Sequence, residues 1–317
     1  MTRRLLPYIG LLLAASLLFS CKKKEETTTT KPYLYGVDFD LPTFARPGDT
    51  FILKPYGVYT TEGDGVENPT YKWRVGTGEF QTTETFTLKL EEVGNYTVSC
   101  QATDPDDNYY ASSNSKVIIV IDPALGETLT GTGIEAGDPH ITDPRDDDGE
   151  NDYFFTRIGD LDWFRNNLAY TGAGLAYENA DVTSYPIGRY YTWDEAMTAC
   201  PDGWRLPTDE EWALLGTDSG PLTCDAYLNS KRMWDFWPDV YRTNETGLAI
   251  IPAGYALPAT TSPTYKRLYD YAAFWTATES AADSRMAAYR YIFVEENQVR
   301  STYAEKGSLA LSVRCVR

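Results

Sequence analysis

The sequence predicts an all-β sandwich followed by an α+β domain, and three observations lead there. Its 317 residues are enough for about two domains at roughly 150 residues each. Apolar residues alternate at period two between Tyr71 and Ile121, interrupted by Gly and Asp clusters. Two helix-start patterns then stand close together at Thr192 and Thr208, inside a stretch otherwise punctuated by Gly and Pro. With 42% hydrophobic and 14% aromatic residues, both units have material for a core.

Taken in order, the chain opens with Arg3 and Arg4, followed by an apolar run from Leu5 to Phe19. That run is shorter than the ~20 residues a membrane-spanning helix needs, so residues 1–20 read as an export signal. The segment 21–32, with Lys22 to Lys24, Glu25, Glu26 and the run Thr27 to Thr30, is polar and of low complexity, the composition of a tether. Leu18-Phe19-Ser20-Cys21 resembles the cleavage box of bacterial lipoproteins, which implies that Cys21 carries lipid and that the chain is held to a membrane without crossing it. Lys24-Glu25-Glu26 is similar to the surface-export signal of lipoproteins in the Bacteroidetes group. The implied location is the outer membrane, facing outward.

Residues 33–122 are expected to form the sandwich. Tyr71, Trp73 and Val75 alternate, as do Phe86, Leu88 and Leu90, then Tyr96, Val98, Cys100 and Ala102, while Val117 to Ile121 form a β-branched run. Turns fall at Glu62 to Gly65, Gly76 to Gly78 and Asp104 to Asn108. A strand tryptophan at Trp73, then Gly94-Asn95-Tyr96-Thr97-Val98, then a closing strand resembles the immunoglobulin-like and PKD modules of bacterial surface proteins. No cysteine precedes Cys100 on an earlier strand, so its thiol is expected to be free and buried.

Gly- and Asp-rich composition marks residues 123–142 as a linker. Beyond it, Asp146, Asp148, Glu150 and Asp152 surround Gly149 and form a candidate calcium site, although the loop lacks the closing glutamate of an EF-hand. A second calcium candidate is the turn with Asp104, Asp106 and Asp107. Calcium is the sole cofactor these residues suggest.

The second unit spans 143–317. Thr192 with Glu195, and Thr208 with Glu211, are capping boxes, in which a threonine caps the backbone and a glutamate three residues on reaches back. Trp193, Ala196, Met197 and Cys200 share a face of the first helix, and Pro201-Asp202-Gly203 ends it. Trp212, Leu214 and Leu215 lie on the second. Short apolar runs follow at Ala249 to Pro252, Phe274-Trp275, Tyr289 to Val294 and Leu309 to Val316, which is the pattern of a loop-rich α+β domain.

These residues resemble a known family. Trp193, Ala196, Met197, Cys200-Pro201, Gly203-Trp204-Arg205-Leu206-Pro207-Thr208, Glu211-Trp212, Pro252-Ala253-Gly254-Tyr255, Phe274-Trp275-Thr276-Ala277-Thr278-Glu279 and Ser312-Val313-Arg314-Cys315-Val316-Arg317 are similar, in order, to the Fibrobacter succinogenes major paralogous domain. Upstream, Ile158-Gly159, Trp163 and Asn167-Leu168 look like its opening strands. That family is similar in turn to C-type-lectin-like folds and to formylglycine-generating enzymes. The lectin-like resemblance implies a disulfide between Cys200 on the first helix and Cys315 on the last strand, a bond that export makes permissible. Arg205 and Glu211 are expected to be a buried charge pair and Trp212 a packing aromatic between the helices.

Composition narrows the function. Lys and Arg number 28 against 46 Asp and Glu, a net charge of −18, which excludes nucleic acid as a natural partner. His140 is the sole histidine, so multi-histidine metal centres and most histidine-based hydrolysis are excluded. Formylglycine generators need two cysteines near the C-terminus, and Cys315 has no such neighbour, so no catalytic activity is expected. The function expected is binding or adhesion at the cell surface, toward glycan or a surface protein, with Trp234, Trp237, Tyr265, Tyr269 and Tyr271 as candidate contacts because aromatic faces stack on sugars and anchor protein contacts. The calcium-dependent sugar signatures of true lectins are absent, and Trp237-Pro238-Asp239 does not substitute for them. The alternative is a structural subunit of a fimbria-like or polysaccharide-handling assembly.

Overall fold

The structure, a computed structural model, describes residues 30–145, 151–259 and 261–317. It is mostly β, with 38% strand and 9% helix, arranged as many small sheets. Among the described residues no helix is long and apolar enough to cross a membrane.

The first unit is a sandwich built where the alternation predicts it. One sheet has five strands in the order Phe44–Ala45, Ser112–Val120, Gly94–Thr103, Thr70–Val75 and Gln81–Thr82. Facing it are two antiparallel pairs, Thr50–Leu53 with Phe86–Lys89 and Asp38–Phe39 with Pro55–Tyr56. Period-two alternation sends Val98, Cys100 and Ala102 inward, where they meet Leu53, Leu88 and Trp73. Trp73 is fully buried, edge-on to Phe39 at 5.1 Å and stacked on Phe86 at 5.7 Å. Cys100 is buried and free, and its burial pushes the thiol up to about 12.

Residues 123–142 are not a free linker, which corrects the compositional expectation. Leu129–Thr130 pairs with Tyr227–Leu228, and His140–Asp143 pairs with Asn151–Ile158 of the second unit. Arg165 donates to Asp138 at 2.5 Å and to the Gly133 carbonyl at 2.6 Å, and Asn244 donates to the Thr132 carbonyl at 3.0 Å. The few apolar residues decide the outcome, because Leu129 and Ile134 pack on the cluster of Ile187, Leu228 and Met233. Where the two units meet, Phe44 and Ile121 of the sandwich bury against Val182, with the Tyr177 ring edge-on to Phe44 at 5.8 Å.

The second unit centres on an antiparallel sheet of Tyr271–Glu279, Met286–Phe293 and Arg300–Glu305. Alternate residues of Tyr271–Glu279 serve two cores. Tyr271, Ala273 and Trp275 join Tyr191, Trp193 and Trp204, whereas Ala272 and Phe274 join Trp163, Trp212 and Trp234. Among the described residues two short α-helices, Trp193–Ala199 and Asp209–Ala213, pack on this sheet, and a third, Ser184–Ile187, packs through Ile187 on Leu228 and Met233. Both capping boxes form as predicted. The Glu195 carboxylate accepts the Thr192 N–H at 2.8 Å, and Glu211 accepts the Thr208 N–H at 2.8 Å while the Thr208 hydroxyl accepts the Glu211 N–H at 3.2 Å. The final segment then threads the unit, with Leu311 bridging Tyr191, Ser312 bridging Phe274, and Val316 bridging both Trp163 and Arg205.

Candidate functional site

The cysteines settle first. Cys200 and Cys315 are disulfide-bonded, with Cα atoms 5.9 Å apart, so the end of the first capped helix is tied covalently to the C-terminal segment. Cys224 is buried and free, its Sγ against the Ile250 carbonyl at 3.6 Å, and burial pushes this thiol up to about 12. An enclosed thiol of this kind stays protonated at neutral pH and is shielded from reagents in solution.

The five predicted aromatic contacts do not share a site. Trp234 is fully buried, its indole N–H toward the Ile250 carbonyl at 3.4 Å and the Arg242 guanidinium 3.8 Å from its ring. Tyr271 is buried between Tyr255, Tyr291 and Phe293, with ring centroids 5.0–5.7 Å away. Tyr265 is half-buried against Tyr177 and Tyr190 and donates to Asn179 at 2.8 Å. Tyr269 packs on the Ile187 cluster with the Lys231 ammonium 3.5 Å from its ring. These four rings are core and core margin, because an irregular domain with few regular layers fills its interior with its largest side chains.

Trp237 is different. It is 51% exposed, and beside it stand Phe236 at 75% and Tyr241 at 45%. Sequence reasoning passed over these two neighbours. The available signal was the compact run Asp235-Phe236-Trp237-Pro238-Asp239, which places aromatic bulk between two acids and a proline with no helix or strand period to bury it. The loop is fixed at its base. Asn297 donates to the Asp239 carbonyl at 2.9 Å and accepts from the Tyr241 N–H at 3.1 Å. The Tyr241 phenol donates to the Asp218 carboxylate, which raises the phenol's pKa. Gly220 makes room for the Tyr241 ring, since a Cβ there would lie 2.1 Å from it. The result is three exposed aromatic side chains within one short anchored stretch that also carries the acids Asp235 and Asp239.

The charged candidates also resolve. Arg205 and Glu211 form a two-pronged pair at 2.8 and 2.5 Å, and these bonds hold Glu211 below its ordinary range. The pair was expected to be buried, but Arg205 lies 52% exposed at its side chain, so the contact staples the surface of the helix start and leaves the core to Trp212. Trp212 packs between Trp163 and Phe274, each 5.1 Å away.

Of the proposed calcium ligands, Asp146, Asp148 and Glu150 lie outside the described residues, as does the lipidation candidate Cys21. Asp152 sits on a strand and accepts the Thr142 hydroxyl at 2.6 Å. In the other candidate turn Asp104 is occupied by the backbone N–H groups of Asp106 and Asn108, at 3.1 and 2.7 Å. Among the described residues no group of three or more acids, cysteines or histidines is gathered to hold a metal ion. His140 contacts the Asp138 carbonyl through Nδ1 at 2.9 Å, and its ring lies 5.3 Å from that of Phe154 on the paired strand.

Comparison with known proteins adds the following. No curated protein matches the chain. A human solved structure, the PKD domain of the VPS10 domain-containing receptor SorCS2, is 16% identical with TM-score 0.24, covering 38% of this chain and all of that one. The three N-terminal domains of the bacteriophage RB49 Highly Immunogenic Outer Capsid protein are 13% identical with TM-score 0.23, covering 88% of this chain and 69% of that one. Both scores are too low for a shared fold to follow from them. The family comparison reaches further, since residues 156–317, from the strand Asn151–Ile158 to the C-terminus, match the Fibrobacter succinogenes major domain. With half of the sequence matched and the blocks around Trp204, Trp275 and Cys315 all inside the match, the chain belongs to the Fibrobacter succinogenes major domain family.

Proposed function

We propose that this protein is a lipid-anchored, outward-facing outer-membrane protein whose second unit binds glycan without catalysing a reaction. In this reading the sandwich is an immunoglobulin-like or PKD-like spacer, and the second unit is a lectin-like scaffold that carries the ligand loop. The observation that carries the proposal is the exposure of Phe236, Trp237 and Tyr241 along one short loop fixed by Asn297 and Asp218. Exposed aromatic faces held rigidly bind sugar rings with little ordering cost, and neighbouring carboxylates accept sugar hydroxyls. A net charge of −18 turns the preference toward uncharged glycans and away from acidic polysaccharides. Engagement of Cys315 with Cys200 supports the non-catalytic part, because the position from which a formylglycine generator would use a thiolate is already bonded.

The test is an array of neutral and acidic polysaccharides probed with the full chain, with Trp237→Ala and Phe236→Ala in parallel. Binding to neutral glycans that falls at least tenfold in Trp237→Ala, with an unchanged melting curve, is the expected result. Binding that survives both substitutions, or confined to acidic polysaccharides, would overturn it. The alternative reading, a structural subunit of a surface assembly, draws on the edge strand Arg300–Glu305, which is largely exposed and pairs on one side only. Self-assembly of the purified chain without glycan binding would favour it.

A further inference from the structure

Far from the second unit, four tyrosines form one exposed surface. Tyr33, Tyr35, Tyr59 and Tyr110 are each between 41% and 54% exposed. Leu34, between the first two, is buried, so Tyr33 and Tyr35 point the same way out of an extended segment. Backbone bridges join Tyr33 to Tyr110 and Tyr35 to Tyr59, with ring centroids 4.9 and 6.0 Å apart. Gly36 permits the second contact, since a Cβ there would lie 2.3 Å from the Tyr59 ring and its φ is +76°. None of the four phenols has a hydrogen-bond partner among the described residues. The Lys31 ammonium lies 5.5 Å from the Tyr110 ring and is paired with Asp107.

The position of this surface gives it meaning. Tyr110 lies two residues before the strand Ser112–Val120, and Phe44, at the contact with the second unit, pairs with Ile119 at that strand's far end. Nine residues of strand separate the two places by about 30 Å, so the tyrosines and the second unit occupy opposite ends of the sandwich. Tyr33 also follows directly on the expected tether, and the segment from Cys21 to Thr30 can reach no farther than about 30 Å.

We infer that the tyrosine end of the sandwich rests on the lipid headgroup layer, so that the second unit is held away from the membrane. This inference builds on the proposed lipid anchor. A tyrosine has an apolar ring and a polar tip, the combination that settles at a membrane–water interface, and four of them beside the tether match that chemistry. With Lys31 already paired, the acids Asp104 and Asp106 in the turn before Tyr110 disfavour anionic headgroups and select zwitterionic ones.

The experiment uses the chain acylated at Cys21, its acyl groups verified by intact mass, on vesicles of phosphatidylethanolamine and phosphatidylcholine. Tyrosine nitration by tetranitromethane is mapped by peptide mass spectrometry, with the exposed Tyr303 of the second unit as internal reference. The expected result is a several-fold fall in nitration at Tyr33, Tyr35, Tyr59 and Tyr110 relative to Tyr303, absent in the acyl-free Cys21→Ser chain in solution. In a Tyr35→Ser/Tyr110→Ser chain, which alters exposed positions only, the protection at Tyr59 is expected to diminish. If the acylated chain on vesicles is nitrated as readily at the four sites as at Tyr303, the inference falls while the anchor stands. If no acyl group is found on Cys21, the anchor reading fails and takes the inference with it. Protection that appears without vesicles, on adding a soluble polysaccharide or on self-association, would assign the surface to that occupant and overturn the membrane contact.

Discussion

In the sandwich, the pairing of Gly94–Thr103 with Ser112–Val120 runs unbroken from Gly94 opposite Val120 to Ala102 opposite Ser112, and one core around Trp73 collects nearly every inward side chain. In the second unit the longest ladder shifts register between Trp275 and Glu279, and the interior is divided among several clusters. Backbone groups left unpaired by such short strands must find other partners. Arginine side chains supply them. Arg314, almost fully buried, donates to Asn167 at 2.7 Å and to the carbonyls of Phe164, Leu248 and Ala249 at 2.9, 2.7 and 3.2 Å, and its burial pulls the guanidinium down to about 9. Arg165 and Arg189 do similar work, donating to the carbonyls of Gly133 and Gly247 and of Ala173 and Gly174. The comparison teaches that one unit is held by repeating backbone geometry and the other by a few long-range pins, which frees its loops to be irregular and still fixed.

That contrast can be broken at chosen points, and the disulfide has the largest expected effect. Opening a bridge across 115 residues removes about 5 kcal/mol by loop-closure entropy, so Cys200→Ala/Cys315→Ala or added reductant should lower the calorimetric transition of the second unit and leave that of the sandwich in place. Trp73→Ala should do the reverse, destabilising the sandwich by about 4 kcal/mol in urea unfolding through the cavity it leaves. Arg314→Ala orphans carbonyls from two segments and is expected to cost the second unit about 3 kcal/mol in the same measurement.

Smaller effects sharpen the picture at the second helix. Thr208→Ala deletes a cap and should cost about 1 kcal/mol. Arg205's hydrogen bonds hold Glu211 below the ordinary 4.5, so this carboxylate's contribution is complete above that value and is lost as pH falls through and below it. A urea midpoint followed from neutral pH into that acid range should therefore drop less steeply in Glu211→Gln than in the parent chain.

Much of this organisation was legible in the sequence. Strand alternation fixed the inward set of the sandwich, including Cys100, and the two capping boxes placed both helix starts. Cys200 with Cys315 followed from family resemblance, since no spacing rule joins residues so far apart. What resisted reading was burial in the irregular unit. Trp234 and Trp237 are three residues apart, yet one is enclosed and the other half in solvent, because no period relates neighbours on a loop. Composition also misled at residues 123–142, where two short strands and the contacts of Leu129 and Ile134 outweigh the Gly and Asp around them. The Arg205 and Glu211 pair was recognised as a pair but misplaced inward, since charge spacing on a helix start says who meets and leaves open how deeply.

The pinned scaffold of the second unit is tested most directly by thiol mapping of the native full chain under non-reducing conditions. Alkylation before and after denaturation, read by peptide mass spectrometry, should find Cys200 and Cys315 in one linked peptide pair, with Cys100 and Cys224 modified only once the chain is unfolded. A Cys315 that alkylates in the native state, or that is found joined to Cys224, would contradict the account.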